Sequence, residues 1–241
     1  MTRRFYAPRQ NISDSAITLD IDETRHLRDV LRLEIGDDVN VFDGHGNEFE
    51  CTIASIGKNE TQLTVSRRAE PSAPESSLDL TLAVCQLPGD KFDLVVQKAV
   101  ELGINNLVPL QSVHTERRDV GSANRLERWR KIALGAAKQS GRATLMSVPE
   151  PLKFDEFVRS AAAGETVFFF AERDGTSLPS RPPGKKITAI VGPKGGWEDS
   201  EIGLARERGF AIVTFGGRIL RAETAAISVA SILQHRFGDL N

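Results

Sequence analysis

The stretch VGPKGGWEDSEIGLARERGF, residues 191–210, sets glycines and a lysine between a short apolar run and a helical pattern. A glycine-rich loop between strand and helix is a common cradle for nucleotide phosphates. That chemistry needs a lysine followed by Ser or Thr, for the phosphates and Mg²⁺. Here Lys194 is followed by Gly195, Gly196 and Trp197, the loop is too short, and the spacing is not GxGxxG. Glu198, Asp199 and Glu201 open the next helix, where they favour its positive end and would repel a phosphate. Gly192, Gly195 and Gly196 around Pro193 leave main-chain N–H and C=O groups open to close approach. The loop therefore suits a ligand that is not strongly anionic, or is a tight turn with no ligand.

FGGRILRAETAAIS, residues 215–228, is a second candidate. Gly216 and Gly217 follow an apolar run, Arg218 and Arg221 come next, and Glu223 stands where a helix dipole favours a carboxylate. Arg221 and Glu223 are either reactive groups or a pair that braces the turn. A third stretch, QKAVELGINNLVPLQSVHTERRD, carries Lys98, Glu101 and Gly103 and ends in Glu116, Arg117 and Arg118. A fourth, WRKIALGAAKQSGR, ends in Gln139, Ser140, Gly141 and Arg142. Arginine meets phosphate oxygens through two parallel bonds and stacks on bases, so these are candidate RNA contacts. Trp129, at helical spacing with Leu126 and Ile132, reads as core. His26, His45, His114 and His235 are scattered with no ligand spacing, so no metal is expected, and no GxSxG elbow is present for a serine nucleophile.

The elements that must hold these stretches are legible in the hydropathy pattern. Residues 38–69 alternate apolar and polar at Val39 and Val41, at Phe49, Cys51 and Ile53, and at Leu63 and Val65. That is the period of half-buried strands, and DGHGN between two of them is turn chemistry. One short helix around DETRHLRDVLRL sets Leu27, Val30 and Leu31 on one side. The set predicts a small barrel. EPSAPESS, residues 70–77, is the expected linker. Beyond it apolar runs alternate with helical ones, with Gly103, Gly141 and Gly209 at three helix ends suited to left-handed caps. Such alternation predicts a mostly parallel sheet covered by helices, with ligands beyond its carboxyl edge, at the loops after VFFF, TAIV and IVTF. The domains are expected at 1–72 and 73–241.

Net charge is −2 over 241 residues, so the chain as a whole is not a basic nucleic-acid binder. Residues 111–142 hold eight basic against three acidic residues, a local field that can recruit an anion or a solvated face with pairs such as Glu127–Lys131. No run of eighteen apolar residues appears, no apolar stretch follows the charges of MTRRFYAPRQ, and Cys51 and Cys85 match no metal or redox spacing. The expectation is a cytosolic protein with two buried thiols.

Taken together, FYAP, HLRDVLRLEIGD, QKAVELG, TERR, KQSGR, VGPKGG, LRAETA and RFGD, in this order from Phe5 to Asp239, resemble the bacterial 16S ribosomal RNA (uracil-N3)-methyltransferases of the SPOUT superfamily. The resemblance implies an α/β fold: a PUA-like N-terminal β-barrel that binds RNA, then a SPOUT domain with a deep trefoil knot, an exception to unknotted topology. It implies S-adenosylmethionine as methyl donor, a homodimer, no membrane and no metal, and a uridine of the small-subunit decoding region as target. Another RNA position, or RNA binding without turnover, are the rival readings. Adenosylmethionine has no phosphate, which fits a loop of main-chain groups without strong positive charge. By the family pattern it would meet Phe170, Ala171 and Glu172; Val191, Gly192, Pro193, Gly195 and Gly196; and Phe215, Gly216, Ile219, Leu220, Arg221, Thr224 and Ala225. Arg221 and Glu223 would be catalytic, Glu223 by orienting Arg221. Arg3, Arg4, Arg9, Arg117, Arg118 and Arg142 would grip RNA. The chain departs from the family at Lys194, where glutamate is usual, and in lacking a proline soon after SGR.

Overall fold

The structure is a computed structural model that describes residues 3–115, 123–161, 164–181 and 184–240. Two compact units make up the chain: residues 1–75 with 137–145, and residues 76–136 with 146–241.

The first unit is a curled five-stranded sheet. Its strands are β1 (Arg4–Tyr6), β2 (Ala16–Leu19), β3 (Asp38–Phe42), β4 (Glu48–Ile56) and β5 (Thr61–Ala69), in the order β1-β3-β4-β5-β2. Only the β1–β3 pair is parallel. Val39, Val41, Cys51, Ile53 and Leu63 face inward, as the alternation requires, and join Phe5, Ile17, Leu19 and Leu27 in one core. Helix α1 (Ile21–Arg25) is capped by Asp20, whose side chain accepts the Glu23 N–H at 2.9 Å. The expected single helix then widens into a π turn over His26–Val30. The extra residue per turn moves Val30 off the apolar side, where it is 63% exposed, while Leu27 stays buried. Burial pushes the Cys51 thiol up to about 12, which leaves it an inert core residue.

The polar heart of this unit is Arg4 on Glu48. Arg4 donates to both Glu48 carboxylate oxygens, at 3.1 and 2.9 Å, and to the carbonyls of Ala137 and Arg142 at 2.9 and 3.0 Å. Asn40 and Ser72 complete the shell of the carboxylate. Arg142 is likewise buried and paired with Glu75 at 2.7 Å. The expectation that Arg4 and Arg142 grip RNA is therefore corrected. Both guanidiniums are spent inside the unit because a buried charge must be paired and fully hydrogen-bonded.

The second unit is an all-parallel six-stranded sheet. Its strands are β6 (Asp79–Cys85), β7 (Asn106–Gln111), β8 (Leu152–Lys153), β9 (Thr166–Phe170), β10 (Lys186–Val191) and β11 (Ala211–Val213), ordered β11-β9-β10-β6-β7-β8. Its helices are α2 (Lys91–Glu101), α3 (Ala123–Ser140, whose last turn belongs to the first unit), α4 (Phe154–Ser160), α5 (Asp199–Glu207) and α6 (Ala222–Phe237). Gly103, Gly141 and Gly209 take φ of +73°, +84° and +76°, the left-handed caps the sequence predicts. Trp129 is core, its ring 4.4 Å from Phe92, and Glu127–Lys131 is an ion pair at 2.8 Å.

Candidate active site

The strands that carry the three candidate loops end level. Phe170 of β9 is paired in register with Val191 of β10 and with Val213 of β11. The chain therefore leaves the sheet at one height in three places. It does so beside the β10–β6 pair, where strand order reverses and a crevice opens beyond the carboxyl ends. A cavity of about 950 Å³ lies there.

Its walls include Phe170, Ala171 and Glu172 from the first loop; Val191, Gly192, Pro193, Gly195 and Gly196 from the second; and Phe215, Ile219, Leu220, Arg221, Glu223 and Ala225 from the third. Gly216 and Thr224 do not line it: both are exposed. Lys91, Lys194, Trp197, Gly217 and Arg218 also line it. The charged lining is thus four basic side chains against Glu172 and Glu223, which corrects the expectation of a pocket without strong positive charge.

The glycines divide the labour differently from the sequence reading. A Cβ on Gly192 would sit 2.7 Å from the Trp197 indole nitrogen, and one on Gly195 would sit 3.0 Å from His114 Cβ. Gly192 thus makes room for a tryptophan. The Trp197 Nε1–H donates to the Phe170 carbonyl at 2.9 Å, and its ring packs 4.6 Å from Phe169 and 4.9 Å from Phe154. Gly196 turns the loop with φ +79° and lies against the Glu172 carboxylate. Trp197 is a site former that the loop pattern alone does not reveal; its one signal is an aromatic directly after the glycine pair.

The acidic opening of α5 caps the helix. Glu198 and Glu201 form a reciprocal capping box. Glu201, buried, also accepts the Val113 N–H at 3.2 Å, and Glu198 meets the His114 ring. The loop after β7 is thereby fixed to the second site loop. Arg173 fixes the first: it donates to the Trp197 carbonyl at 3.0 Å and to Asp199 at 2.7 Å, and pairs with Glu172. Removing this brace by Arg173→Ala is expected to speed amide exchange in residues 171–176 and 196–199. Global stability should stay close to wild type, because the pairs are exposed. Hydrogen exchange read by mass spectrometry checks both; unchanged exchange would remove Arg173 from the site's framework.

The third loop is the least committed. From Phe215 to Leu220 no backbone N–H bonds another backbone group among the described residues, and Ile219 is 93% exposed. Arg221 is exposed. Glu223 pairs with Lys91 at 3.2 Å, and no hydrogen bond or ion pair joins it to Arg221 among the described residues. The expected orienting of Arg221 by Glu223 thus has no direct contact behind it; the ion pair of Glu223 is with Lys91. Burial raises the Glu223 carboxyl, but its own N–H, Lys91 and the positive charge of Arg221 outweigh that and hold it below its ordinary value.

Of the remaining RNA candidates, Arg3 pairs with Asp37 and Arg9 with Asp43, both arginines largely exposed. Arg117 and Arg118 lie outside the described residues. The first unit holds eleven basic against fourteen acidic residues. Among the described residues no group of three or more His, Cys, Asp or Glu side chains is placed to hold a metal, and no helix is long and apolar enough to cross a membrane.

Comparison with known proteins agrees with this layout. Residues 74–234 match the model of an RNA methyltransferase domain and residues 19–66 that of an RNA methyltransferase PUA domain. The ribosomal RNA small subunit methyltransferase E of Synechocystis sp. is 34% identical, over 96% of this chain and 77% of that protein. Its namesake in Rickettsia conorii is 31% identical, over 93% and 92%. The crystal structure of the Neisseria gonorrhoeae protein of that name, bound to S-adenosyl methionine, superposes with a TM-score of 0.92 at 32% identity over the whole of both chains. A Legionella pneumophila protein in complex with the same cofactor gives 0.88 at 30% identity, again over both whole chains. With its PUA and methyltransferase parts in this order, the chain belongs to the family of the ribosomal RNA small subunit methyltransferases E.

Proposed function

We propose that the chain transfers a methyl group from S-adenosylmethionine to N3 of a uridine in the 16S ribosomal RNA of the small subunit, working as a homodimer in the cytoplasm. The observation that carries the reading is the meeting of three loops at one level of the sheet, around a cavity whose third wall keeps its main-chain donors uncommitted. That wall suits an adenine, whose edge takes hydrogen bonds from backbone groups. Ile219 and Leu220 supply apolar contact, and Glu172 offers a carboxylate for ribose hydroxyls or a cation. When bound, the cofactor supplies a methyl group activated on a sulfonium.

The chain's own residues then have three tasks. The cavity must hold the base in line, and positioning of this kind supplies much of an enzyme's acceleration. Arg221, exposed at the rim, stabilises negative charge on a uracil carbonyl. Lys194, Arg218, Arg3 and Arg9, with Arg117 and Arg118, contact the RNA backbone. In this division residues 1–72 serve RNA recognition, and residues 73–241 hold cofactor and dimer contacts. A deep trefoil knot is part of the reading. In its support, β11 runs between β9 and the segment leaving β9: the Ala171 N–H bonds the Val213 carbonyl, and Thr176 exchanges bonds with Ile212 and Thr214.

Arg221→Ala is expected to lower methyl transfer by about 100- to 1000-fold while leaving cofactor affinity close to wild type. Single-turnover kinetics with small subunits, beside calorimetry with S-adenosylmethionine, checks this. Parallel losses in rate and affinity would assign Arg221 to cofactor binding, and the absence of calorimetric binding by the wild type would end the reading.

A further inference from the structure

Lys91 belongs to none of the three loops, yet it lines the same cavity. It opens α2, which follows β6 across the point where strand order reverses. Its side chain is about one-third exposed and reaches Glu223 at 3.2 Å. Another carboxylate of its own helix, Asp93, is engaged by Arg128 of α3. An ammonium carries three N–H donors, and among the described residues Glu223 is its ion-pair partner. The other charged groups of the cavity are placed differently: Lys194, Arg218 and Arg221 are exposed, and Glu172 is held by Arg173.

We propose that Lys91 is a further catalytic residue, its ammonium anchored by Glu223 and donating to a carbonyl of the acceptor uracil so that the N3 proton is lost to water. This rests on the uracil-N3 reading above. N3 is not nucleophilic while protonated, and its anion spreads charge onto both flanking carbonyl oxygens. A fixed donor at one of them stabilises that anion. Atoms and electrons balance: the N3–H bond breaks and the proton passes to water. The pair left on N3 forms the N–C bond, and the C–S bond of the sulfonium donor breaks with its electrons kept by sulfur. Glu223 is unsuited to take the proton itself, since Lys91 and the helix N-terminus keep it ionised. It is the anchor. An ammonium is also disfavoured beside a sulfonium, which places Lys91 on the acceptor side.

The test compares wild type, Lys91→Met and Lys91→Arg on small-subunit RNA carrying uridine or the more acidic 5-fluorouridine. It reads single-turnover rate against pH and, separately, calorimetric affinity for S-adenosylmethionine. Lys91→Met should lose about 100-fold in rate on uridine with cofactor affinity unchanged. The loss should shrink as pH rises and on 5-fluorouridine, and Lys91→Arg should recover most of the rate. A comparable loss of cofactor affinity, a loss of equal size on both bases and at every pH, or no loss at all would overturn the proposal. If the wild type forms no 3-methyluridine, the underlying reading falls and this proposal with it. If the wild type forms it and Lys91→Met departs from the pattern above, only the role of Lys91 falls.

Discussion

Gly175→Ala will cost the protein about 1–3 kcal/mol of stability and weaken S-adenosylmethionine at least about ten-fold. A Cβ at this position would lie 2.5 Å from Thr214 Oγ1, 2.6 Å from the Thr214 nitrogen and 2.7 Å from the Val213 carbonyl carbon. Two of those atoms are backbone and cannot rotate away. The segment must lift from the edge of β11, where the Gly175 N–H donates to Thr214 Oγ1 at 3.0 Å and Thr176 exchanges bonds with Ile212 and Thr214. Both flanking stretches run directly into the cavity, Glu172 on one side and Phe215 on the other, so the displacement is transmitted to the walls. Gly216→Ala is the control: its Cβ would meet nothing within 4 Å. Thermal midpoints and calorimetry check the pair. A Gly175→Ala protein with wild-type midpoint and affinity would show that the contact does not shape the site.

The second large effect concerns the first unit. Glu48→Gln will destabilise it by about 3–5 kcal/mol, because it leaves the buried Arg4 guanidinium without its counter-charge. Both side chains are almost wholly buried, at 1% and 0% exposure. Burial raises the Glu48 carboxyl, but Arg4, the Ser72 N–H and Asn40 together bring it below its ordinary value of 4.5. The sign follows. A carboxyl depressed in the folded state contributes stability that is complete above its unfolded pKa and is lost as pH falls through the folded one. Wild type should therefore lose midpoint steeply below about pH 4.5, whereas Glu48→Gln, already without the charge, should lose less over the same range. The double replacement Arg4→Met with Glu48→Leu should be milder than Glu48→Gln alone, since no unpaired charge remains. Equal pH slopes for wild type and Glu48→Gln would show that the pair carries no linked stability.

Much of this architecture was legible because long elements advertise their period. The apolar runs VFFF and TAIV are strands that end at Phe170 and Val191, and IVTF pairs only as far as Val213; the rule that ligands sit beyond the carboxyl edge of a parallel sheet points to the cavity. β1, β2, β8 and the π turn were not legible: the strands have two to four residues and, unlike the equally short β11 that follows the helix ended by Gly209, no recognised element just before them to frame them, and a π turn changes helical phase without a marker residue. Partners distant in sequence were equally hidden. Arg4 and Arg142 read as surface cations because nothing local shows that Glu48 and Glu75 neutralise them. Lys91 carries no local signal: the loop before it, QLPGD, holds a single glycine, and its partner Glu223 lies far along the chain. At Gly192 the close approach is made by the Trp197 indole, a side chain of the same loop, and no local signal in the sequence distinguishes that from a main chain left open to a ligand.

The central claim is that the three loops hold a methyl donor for N3 of a uridine in 16S ribosomal RNA. Its most direct test is nucleoside analysis of small subunits from a strain lacking the enzyme, after incubation with the purified protein and methyl-labelled S-adenosylmethionine. The account predicts label in 3-methyluridine, confined to 16S ribosomal RNA. Label in another nucleoside, or no incorporation at all, would contradict it.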